Sequence, residues 1–220
     1  SGSRDVSAFS PRWNSGMLYY NAVMSGADFR TGNTGRILFS TEGIENSLEK
    51  TRKFIKEING GFAQDKSFEE KHLYRTAESL ISEQRIFFSY TDLREFYAMG
   101  QHKRNGLNFR WLATGDKIPV SDEIIYAGIP RQAQNRRGAE LFLLWFFSYD
   151  SQASLMEEGK TKRIRSFGLA SGFSSIRAIN EEVFPRHYPL LVGHIPPANM
   201  LSFPEPLPVE WELLKNDVVK

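Results

Sequence analysis

The stretch from Ile124 to Ser148, IIYAGIPRQAQNRRGAELFLLWFFS, constrains the fold of this chain more than any other. Its first five residues are mostly β-branched or aromatic and predict a buried strand. Pro130 ends that strand, because proline cannot donate to a sheet ladder. Asn135 is well placed to cap a helix that begins near Arg136. The stretch therefore predicts a strand, a short basic turn and a helix.

The predicted helix is apolar on every side. From Ala139 to Phe147 only Glu140 is polar, and at about 100° per residue these side chains cover the whole circumference. Burying such side chains stabilises a protein by roughly 1.5–3 kcal/mol each. A run of about nine residues is too short to span a bilayer. The sequence therefore predicts a core helix that needs a large apolar partner.

Composition excludes several classes of function. The 220 residues are 40% hydrophobic and 25% charged, with a net charge of +2, as in an ordinary globular protein. This charge gives no electrostatic basis for nucleic-acid binding, and the basic run from Lys160 to Arg165 lacks interleaved aromatic residues and is read as a solvated loop. Cysteine is absent, which removes disulfides, thiolate catalysis and cysteine-based zinc sites.

Helical and strand-like patterns alternate along the chain. The fold class is therefore predicted to be α/β. The predicted helices are 14–25, 42–58, 68–81 (opened by a capping box at Ser67, with a break near Tyr74 as an alternative), 92–99, 136–147, 151–158 and 208–219. The predicted strands are 36–39, 85–90, 107–112 and 124–128.

No catalytic motif is present. The sequence has no phosphate loop, no dinucleotide fingerprint, no nucleophile elbow and no H-E-x-x-H. The acidic doublets, such as Asp122-Glu123, are read as helix starts or solvated faces. His187 and His194 lie in proline-flanked loops without acidic residues spaced to complete a metal site. We therefore predict that the chain is not an enzyme and needs no cofactor or metal.

Aromatic and polar residues lie at the ends of several predicted elements. Trp13 and Asn14 precede the first helix, Tyr90 and Asp92 lie where a strand meets a helix, and Trp211 lies in the first turns of the last helix. An aromatic ring offers an apolar face to a sugar, while Asn and Asp bind its hydroxyls. The alternative is that the tryptophans are core aromatics.

The central stretch also carries a resemblance. AGIP, a basic turn, then A-E-x-F-L-x-W-x-F followed by SYDSQ and Leu155-Met156 resembles bacterial extracellular solute-binding proteins of the large sugar-binding type, the receptors of ABC importers. The resemblance implies a periplasmic-binding-protein-like (type II) fold of two α/β lobes, and this chain matches the second half.

The resemblance also implies a division of the chain. Residues 1–5 are expected to be a cloning remnant or linker, because Ser1-Gly2-Ser3 is typical of one. Residues 6–120 and 166–220 form the second lobe, and residues 121–165 form a hinge and a return segment of a first lobe whose remainder is absent. Family members close their lobes about a hinge to trap ligand.

The function implied is that of an extracytoplasmic receptor, periplasmic or lipid-anchored, that binds a sugar or oligosaccharide and delivers it to permease subunits. By motif order, Trp13, Asp92 and Trp211 fall on the family's ligand-binding positions, and Tyr90, Asn14 and Arg94 are their neighbours. In the loop 172–177, where the chain returns to the second lobe, Phe173 or Arg177 is expected to reach the ligand. An arginine beside Asp92 would also suit a ligand with an amino or an acidic group. A signal peptide with a lipidation cysteine is expected upstream. Nucleic acid is not an expected partner.

Two consequences are expected of the isolated chain. It binds sugars weakly or not at all, because half of the cleft belongs to the other lobe. It forms a dimer or a domain swap, because an uncovered apolar helix seeks a partner. The alternative functions are an α/β enzyme acting on carbohydrate and a protein-interaction module.

Overall fold

The computed structural model describes residues 5–9, 15–164, 166–208 and 210–218. The fold is mixed α/β, about 48% helical, with only small sheets. The chain divides into two compact units. The first comprises Ser1–Thr91, Gln101–Asp122 and Ser202–Lys220, and the second comprises Asp92–Gly100 and Glu123–Leu201. The second unit thus joins residues 92–100 to residues 123–201, and the division into lobes that the resemblance implies stays a prediction.

The helices and strands follow one another in a fixed order. They are α1 (Ser15–Met24), β1 (Arg30–Thr31), β2 (Ile37–Leu38), α2 (Thr41–Glu57), α3 (Phe62–Lys71), α4 (Ala77–Ser82), α5 (Leu93–Ala98), α6 (Gln101–Arg104), β3 (Ile118–Pro119), α7 (Arg136–Phe146), α8 (Tyr149–Thr161), α9 (Phe184–His187), β4 (Leu201–Ser202) and α10 (Trp211–Val218). A π-helix, Ile179–Val183, runs directly into α9, and short 3-10 turns cover Pro189–Leu191 and Ala198–Met200.

Helices whose start depends on a local cap form as predicted. The side chain of Asp92 accepts a hydrogen bond from the backbone N–H of Glu95 and opens α5, and Asn135 accepts from Gly138 and opens α7. The helix α2 occupies nearly the predicted range, with Ser40 as its cap. These signals are reliable because a cap satisfies donors only three residues away.

Several helix boundaries differ from the prediction. Ser67 lies inside α3, which begins at Phe62 after Gly61 and ends at Lys71, so the apparent capping box does not cap. The predicted helix is broken, since α4 is separate and covers Ala77–Ser82. The final helix begins at Trp211 rather than at Pro208.

Most of the predicted strands do not form. The segment 36–39 does contain β2, which pairs antiparallel with β1 through Arg30–Leu38 and Thr31–Ile37. Residues 86–90, 107–112 and 124–128 are irregular. In the last of these, Ile125 and Tyr126 are 74% and 72% exposed, so the prediction of a buried strand is wrong for this chain. A strand needs a neighbour for its N–H and C=O groups, and none of the described residues pairs with this one.

The core of the first unit is aromatic. Tyr19, Ala22, Ala27, Phe29 and Trp211 are buried together, so α1, the β1–β2 hairpin and α10 share one core. The helix α2 lies directly against the turn after α1. A Cβ on Gly43 would overlap the backbone of Gly26 and Ala27, and only glycine permits this approach.

The second unit has its own aromatic core. Phe167 and Phe184 are almost fully buried, with ring centroids 5.5 Å apart. The ring of Tyr97, on α5, stacks on Phe167 at 5.2 Å, and Tyr188 packs against the same ring. The prediction treated most of this region as loop, whereas the π-helix and α9 supply Ile179, Val183 and Phe184 to the core.

The helix α7 is formed but not covered. None of its residues is buried, and Leu141, Phe142, Leu144, Trp145 and Phe147 are between 44% and 72% exposed. The described residues include no element that covers its outer side, so the large apolar partner expected of a core helix is not found among them. Among the described helices, none is both long and apolar enough to cross a bilayer.

Candidate functional site

The predicted binding residues fall into separate parts of the molecule. Trp13 and Asn14 lie outside the described residues. Tyr90 and Trp211 belong to the first unit, whereas Asp92, Arg94, Phe173 and Arg177 belong to the second.

Tyr90 lies beside the N-terminal end of α1. A Cβ on Gly16 would come within 3.3 Å of Tyr90 Cε1, so this glycine lets the ring lie against the helix. The ring centroid of Tyr20, one turn further along α1, is 5.9 Å from that of Tyr90, at an interplanar angle of 37°. Both rings are partly exposed. Together they form a two-ring face, which we call the Tyr20–Tyr90 face.

A buried carboxylate lies behind this face. Asp122 accepts hydrogen bonds from the Tyr20 hydroxyl at 3.3 Å and from Trp211 Nε1 at 3.0 Å. Both of its oxygens lie 2.8 Å from Lys215 Nζ. The side chains of Asp122 and Lys215 are only 6% and 16% exposed. We call Tyr20, Asp122, Trp211 and Lys215 the Asp122 cluster.

The charges of the cluster shift two pKa values in opposite directions. Burial alone would raise the pKa of Asp122, but the hydrogen bonds from Lys215 and Trp211 and the charge of Lys215 outweigh it and lower that pKa below its ordinary value. Burial, with the nearby charge of Asp122, raises the pKa of Tyr20 to about 12. The cluster therefore holds a carboxylate and an ammonium next to a neutral phenol at pH 7.

Trp211 occupies the core rather than an exposed face. It is 4% exposed, and its ring lies 4.9 Å from Phe29 and 5.7 Å from Tyr19. A ring enclosed in this way is not available to stack on a sugar. Trp211 is thus a core aromatic, which was the alternative to a ligand-binding role. Its indole N–H donates a hydrogen bond to Asp122.

Asp92 and Arg94 are occupied in a local ion-pair network. One oxygen of Asp92 caps α5, and the other lies 3.1 Å from Arg94. Arg94 also lies 2.7 Å from Glu123, and both hydrogen bonds raise the pKa of its guanidinium. Arg94 therefore ties together the first residues of the two segments of the second unit.

Phe173 and Arg177 lie in the second unit and have structural partners. The Phe173 ring packs 5.3 Å from Phe167 and 5.2 Å from Phe184 at the edge of the aromatic core. Arg177 is exposed and pairs with Glu181 one turn on, at 2.6 Å. Both residues therefore belong to a different unit from Tyr90.

A small pocket lies elsewhere in the first unit. It measures about 190 Å³ and lies between α1 and α2, with Phe9, Phe54 and Phe88 among its apolar walls and Asn21 and Thr51 among its polar ones. The Asn21 amide donates to the Thr51 hydroxyl at 3.2 Å. This pocket lies on a different face of α1 from Tyr20.

The residues that support Tyr90 were not predicted from the sequence. Tyr20, Asp122 and Lys215 were not candidates, and the Asp122-Glu123 doublet was read as a helix start or a solvated face. Asp122 instead follows β3 closely and is buried. The signal that was available is an acidic residue two positions after a short apolar run, in IPVSD.

Within the described ranges, no group of three or more His, Asp or Glu residues is arranged to hold a metal ion. Comparisons of the sequence with family models and with curated proteins, and of the structure with solved structures, find no match.

Proposed function

We propose that this chain is part of an extracytoplasmic solute-binding receptor of an ABC importer, of the type II two-lobe class, and that it binds a sugar or oligosaccharide at the Tyr20–Tyr90 face. The observation that supports the proposal best is the geometry of this face. Two partly exposed rings lie 5.9 Å apart along α1, and the Tyr20 hydroxyl is held in place by a buried carboxylate.

This arrangement suits a sugar for chemical reasons. The C–H side of a pyranose packs on an aromatic ring, and its hydroxyls need donors and acceptors at the ring edges. Tyr20 is fixed by its bond to Asp122, and Gly16 leaves room for Tyr90 against α1. A ligand without hydroxyls would form fewer hydrogen bonds at this face than a sugar does, which is a basis for discrimination.

The other parts of the proposal depend on the sequence resemblance. A lobe outside this sequence supplies the opposite wall of the cleft, and the closed receptor delivers its solute to permease subunits. No covalent step is involved, so binding alone describes the activity.

The proposal is tested by saturation-transfer NMR on the 220-residue chain with maltose and xylobiose. We expect millimolar binding, because one wall of the cleft is present, and loss of the saturation signal in Tyr90→Ala. The matched control is Tyr74→Ala, which removes a 95% exposed tyrosine of the same unit and leaves the signal unchanged.

Two outcomes refute parts of this proposal. If Tyr90→Ala and the parent chain give the same signal, or neither gives any, the Tyr20–Tyr90 face is not the site. If calorimetry gives micromolar affinity for either sugar, the binding site is already complete in this chain and the half-cleft account is wrong.

A further inference from the structure

The pocket between α1 and α2 is built from residues that the proposed sugar face does not use. It measures about 190 Å³. Its apolar walls come from both helices, from the segment before α1 and from the segment after α4, and they are Phe9, Met17, Leu18, Phe54 and Phe88. An apolar cavity of about 150 Å³ is large enough to hold a benzene molecule. This pocket therefore has room for one aromatic ring with a short substituent.

Three aromatic rings form much of the wall. Phe9 is 2% exposed and Phe88 is 48% exposed, and their rings are stacked with centroids 5.1 Å apart. The ring of Phe54, on α2, meets Phe9 edge-on at 6.4 Å. Aromatic rings pack well on one another in both of these arrangements. The walls therefore favour a flat aromatic group, whereas the hydroxyls of a sugar would lose water against them without gaining partners.

Polar groups lie toward the C-terminal end of α1. Asn21, one turn beyond Met17, donates from its amide to the hydroxyl of Thr51 at 3.2 Å. The ammonium of Lys50 donates to the hydroxyl of Ser25, one turn beyond Asn21, at 3.2 Å. Asn21, Lys50 and Thr51 all line the pocket. The pocket is therefore amphipathic, with a polar group at one end of an apolar chamber.

Lys50 supplies the charge of the polar end. Among the described residues that line the pocket, it alone is charged. It is exposed, and its hydrogen bond to Ser25 is to a neutral hydroxyl, which does not neutralise the ammonium. A lysine ammonium forms a charge-assisted hydrogen bond with a carboxylate. A carboxylate at this end would therefore have Lys50 as its counter-ion and the Asn21 amide beside it.

We propose that this pocket binds a small aromatic carboxylate, whose ring lies among Phe9, Phe54 and Phe88 and whose carboxylate faces Lys50. Sites for drug-sized ligands measure about 300–1,000 Å³, so a pocket of about 190 Å³ suits a smaller molecule. The inference is independent of sugar binding, because neither ring of the Tyr20–Tyr90 face lines the pocket.

The test is NMR of the full chain, labelled with carbon-13 in its methionine methyl groups, during titration with phenylacetate. Met17 lines the pocket, so the ring current of a bound phenyl group should shift its methyl signal, which Met17→Leu identifies. Met156, buried in the second unit, is the internal reference and should not shift. We expect saturable binding with a dissociation constant of about 1 mM or tighter, which a ligand of about ten non-hydrogen atoms can reach.

A variant and a neutral probe test the charge at the polar end. Lys50→Met keeps the apolar stem of the side chain, removes the ammonium, and should weaken phenylacetate binding about threefold or more. The matched control is Lys56→Met, which removes an exposed lysine on another side of α2 and should change the affinity by less than about twofold. Phenylacetamide has the same shape without the charge, and its affinity should be the same for the parent chain and for Lys50→Met.

Four results overturn the proposal. The first is a Met17 signal that phenylacetate does not shift, and the second is a phenylacetate affinity that Lys50→Met leaves unchanged. The third is phenylacetamide that binds the parent chain as tightly as phenylacetate does. The fourth is an equal loss in Lys50→Met and Lys56→Met, which would mean that the anion is attracted by positive charge in general. Circular dichroism of both variants excludes unfolding as the cause.

Discussion

A substitution at Asp122 tests whether its carboxylate stabilises the first unit or is incidental to it. Asp122→Asn keeps the size of the side chain and an oxygen for Trp211 Nε1, but it removes the charge that faces Lys215. The ammonium, 16% exposed, would then have lost a partner that now lies 2.8 Å away. We expect a clear loss of stability of the first unit.

The size of the loss follows from the geometry. At 2.8 Å and an effective dielectric constant of about 20, the attraction is about 6 kcal/mol, part of which offsets desolvation of the two groups. Removing one partner of a buried pair costs about 3–5 kcal/mol. Because Lys215 retains some exposure, the lower end applies, about 3 kcal/mol. For a unit of this size, Tm falls by roughly 10 °C.

The assay is guanidinium and thermal unfolding followed by circular dichroism and tryptophan fluorescence. The control is Glu70→Gln, which removes an exposed carboxylate 3.7 Å from Lys66 on the surface of the same unit and costs at most about 0.5 kcal/mol. Asp122→Asn/Lys215→Met should recover at least half of the loss. The methionine can keep the contact that Lys215 makes over the Tyr19 ring.

The pH dependence has a definite sign. The folded-state pKa of Asp122 is lowered, so its contribution is fully present above the unfolded value of about 3.9 and is lost as pH falls through the folded value. The gap in unfolding free energy between the parent chain and Asp122→Asn should therefore be constant near neutral pH and shrink below about pH 4.

Two results would refute this reasoning. One is a cost for Asp122→Asn below about 1 kcal/mol, which would mean that the cluster is hydrated in solution. The other is a gap that does not change down to pH 3, which would mean that the carboxylate does not act through its charge.

Two further predictions concern the first unit. Gly43→Ala should destabilise it by about 2 kcal/mol, because the new methyl group overlaps the backbone of Gly26 and Ala27. The control, Gly159→Ala, lies at an open helical position and should stabilise the chain by about 0.5–1 kcal/mol in the same unfolding assay. Changes of the same sign in the unfolding free energy of both variants would contradict the close approach at Gly43. Absorbance titration at 295 nm should show a tyrosine ionisation at about pH 12, and this step should disappear in Tyr20→Phe. A titration curve that Tyr20→Phe leaves unchanged would mean that the hydroxyl is not buried against Asp122.

Local signals in the sequence predicted the helices well. Asp92 and Asn135 cap the helices they were assigned, because a side chain and the N–H it accepts from are three residues apart. The prediction that Ser67 opens a helix was wrong, because α3 begins earlier, at Phe62, directly after Gly61. The strand at 124–128 failed for another reason. Its residue types favour a strand, but a strand forms only where a second one pairs with it.

The candidate site shows the same limit. Tyr90 was predicted from its place where the expected strand 85–90 meets a helix, but that strand does not form. Its position beside α1 does not follow from chain order, and neither does its support. Asp122 and Trp211 are separated by 89 residues in the sequence, and no periodicity or spacing relates them. Trp211 is of a residue type that can stack on a sugar, and only the core packed around it determines that it is buried.

The amide of Gln152 has a mechanical consequence for the second unit. Its nitrogen donates to the Phe146 carbonyl at the last turn of α7, and its oxygen accepts from the Ser174 hydroxyl at 2.5 Å. The end of α7 and the loop that carries Phe173 are thus fastened to the same buried side chain. A displacement of that helix end is transmitted to the loop through one amide, and neither segment can move alone without breaking a hydrogen bond to Gln152.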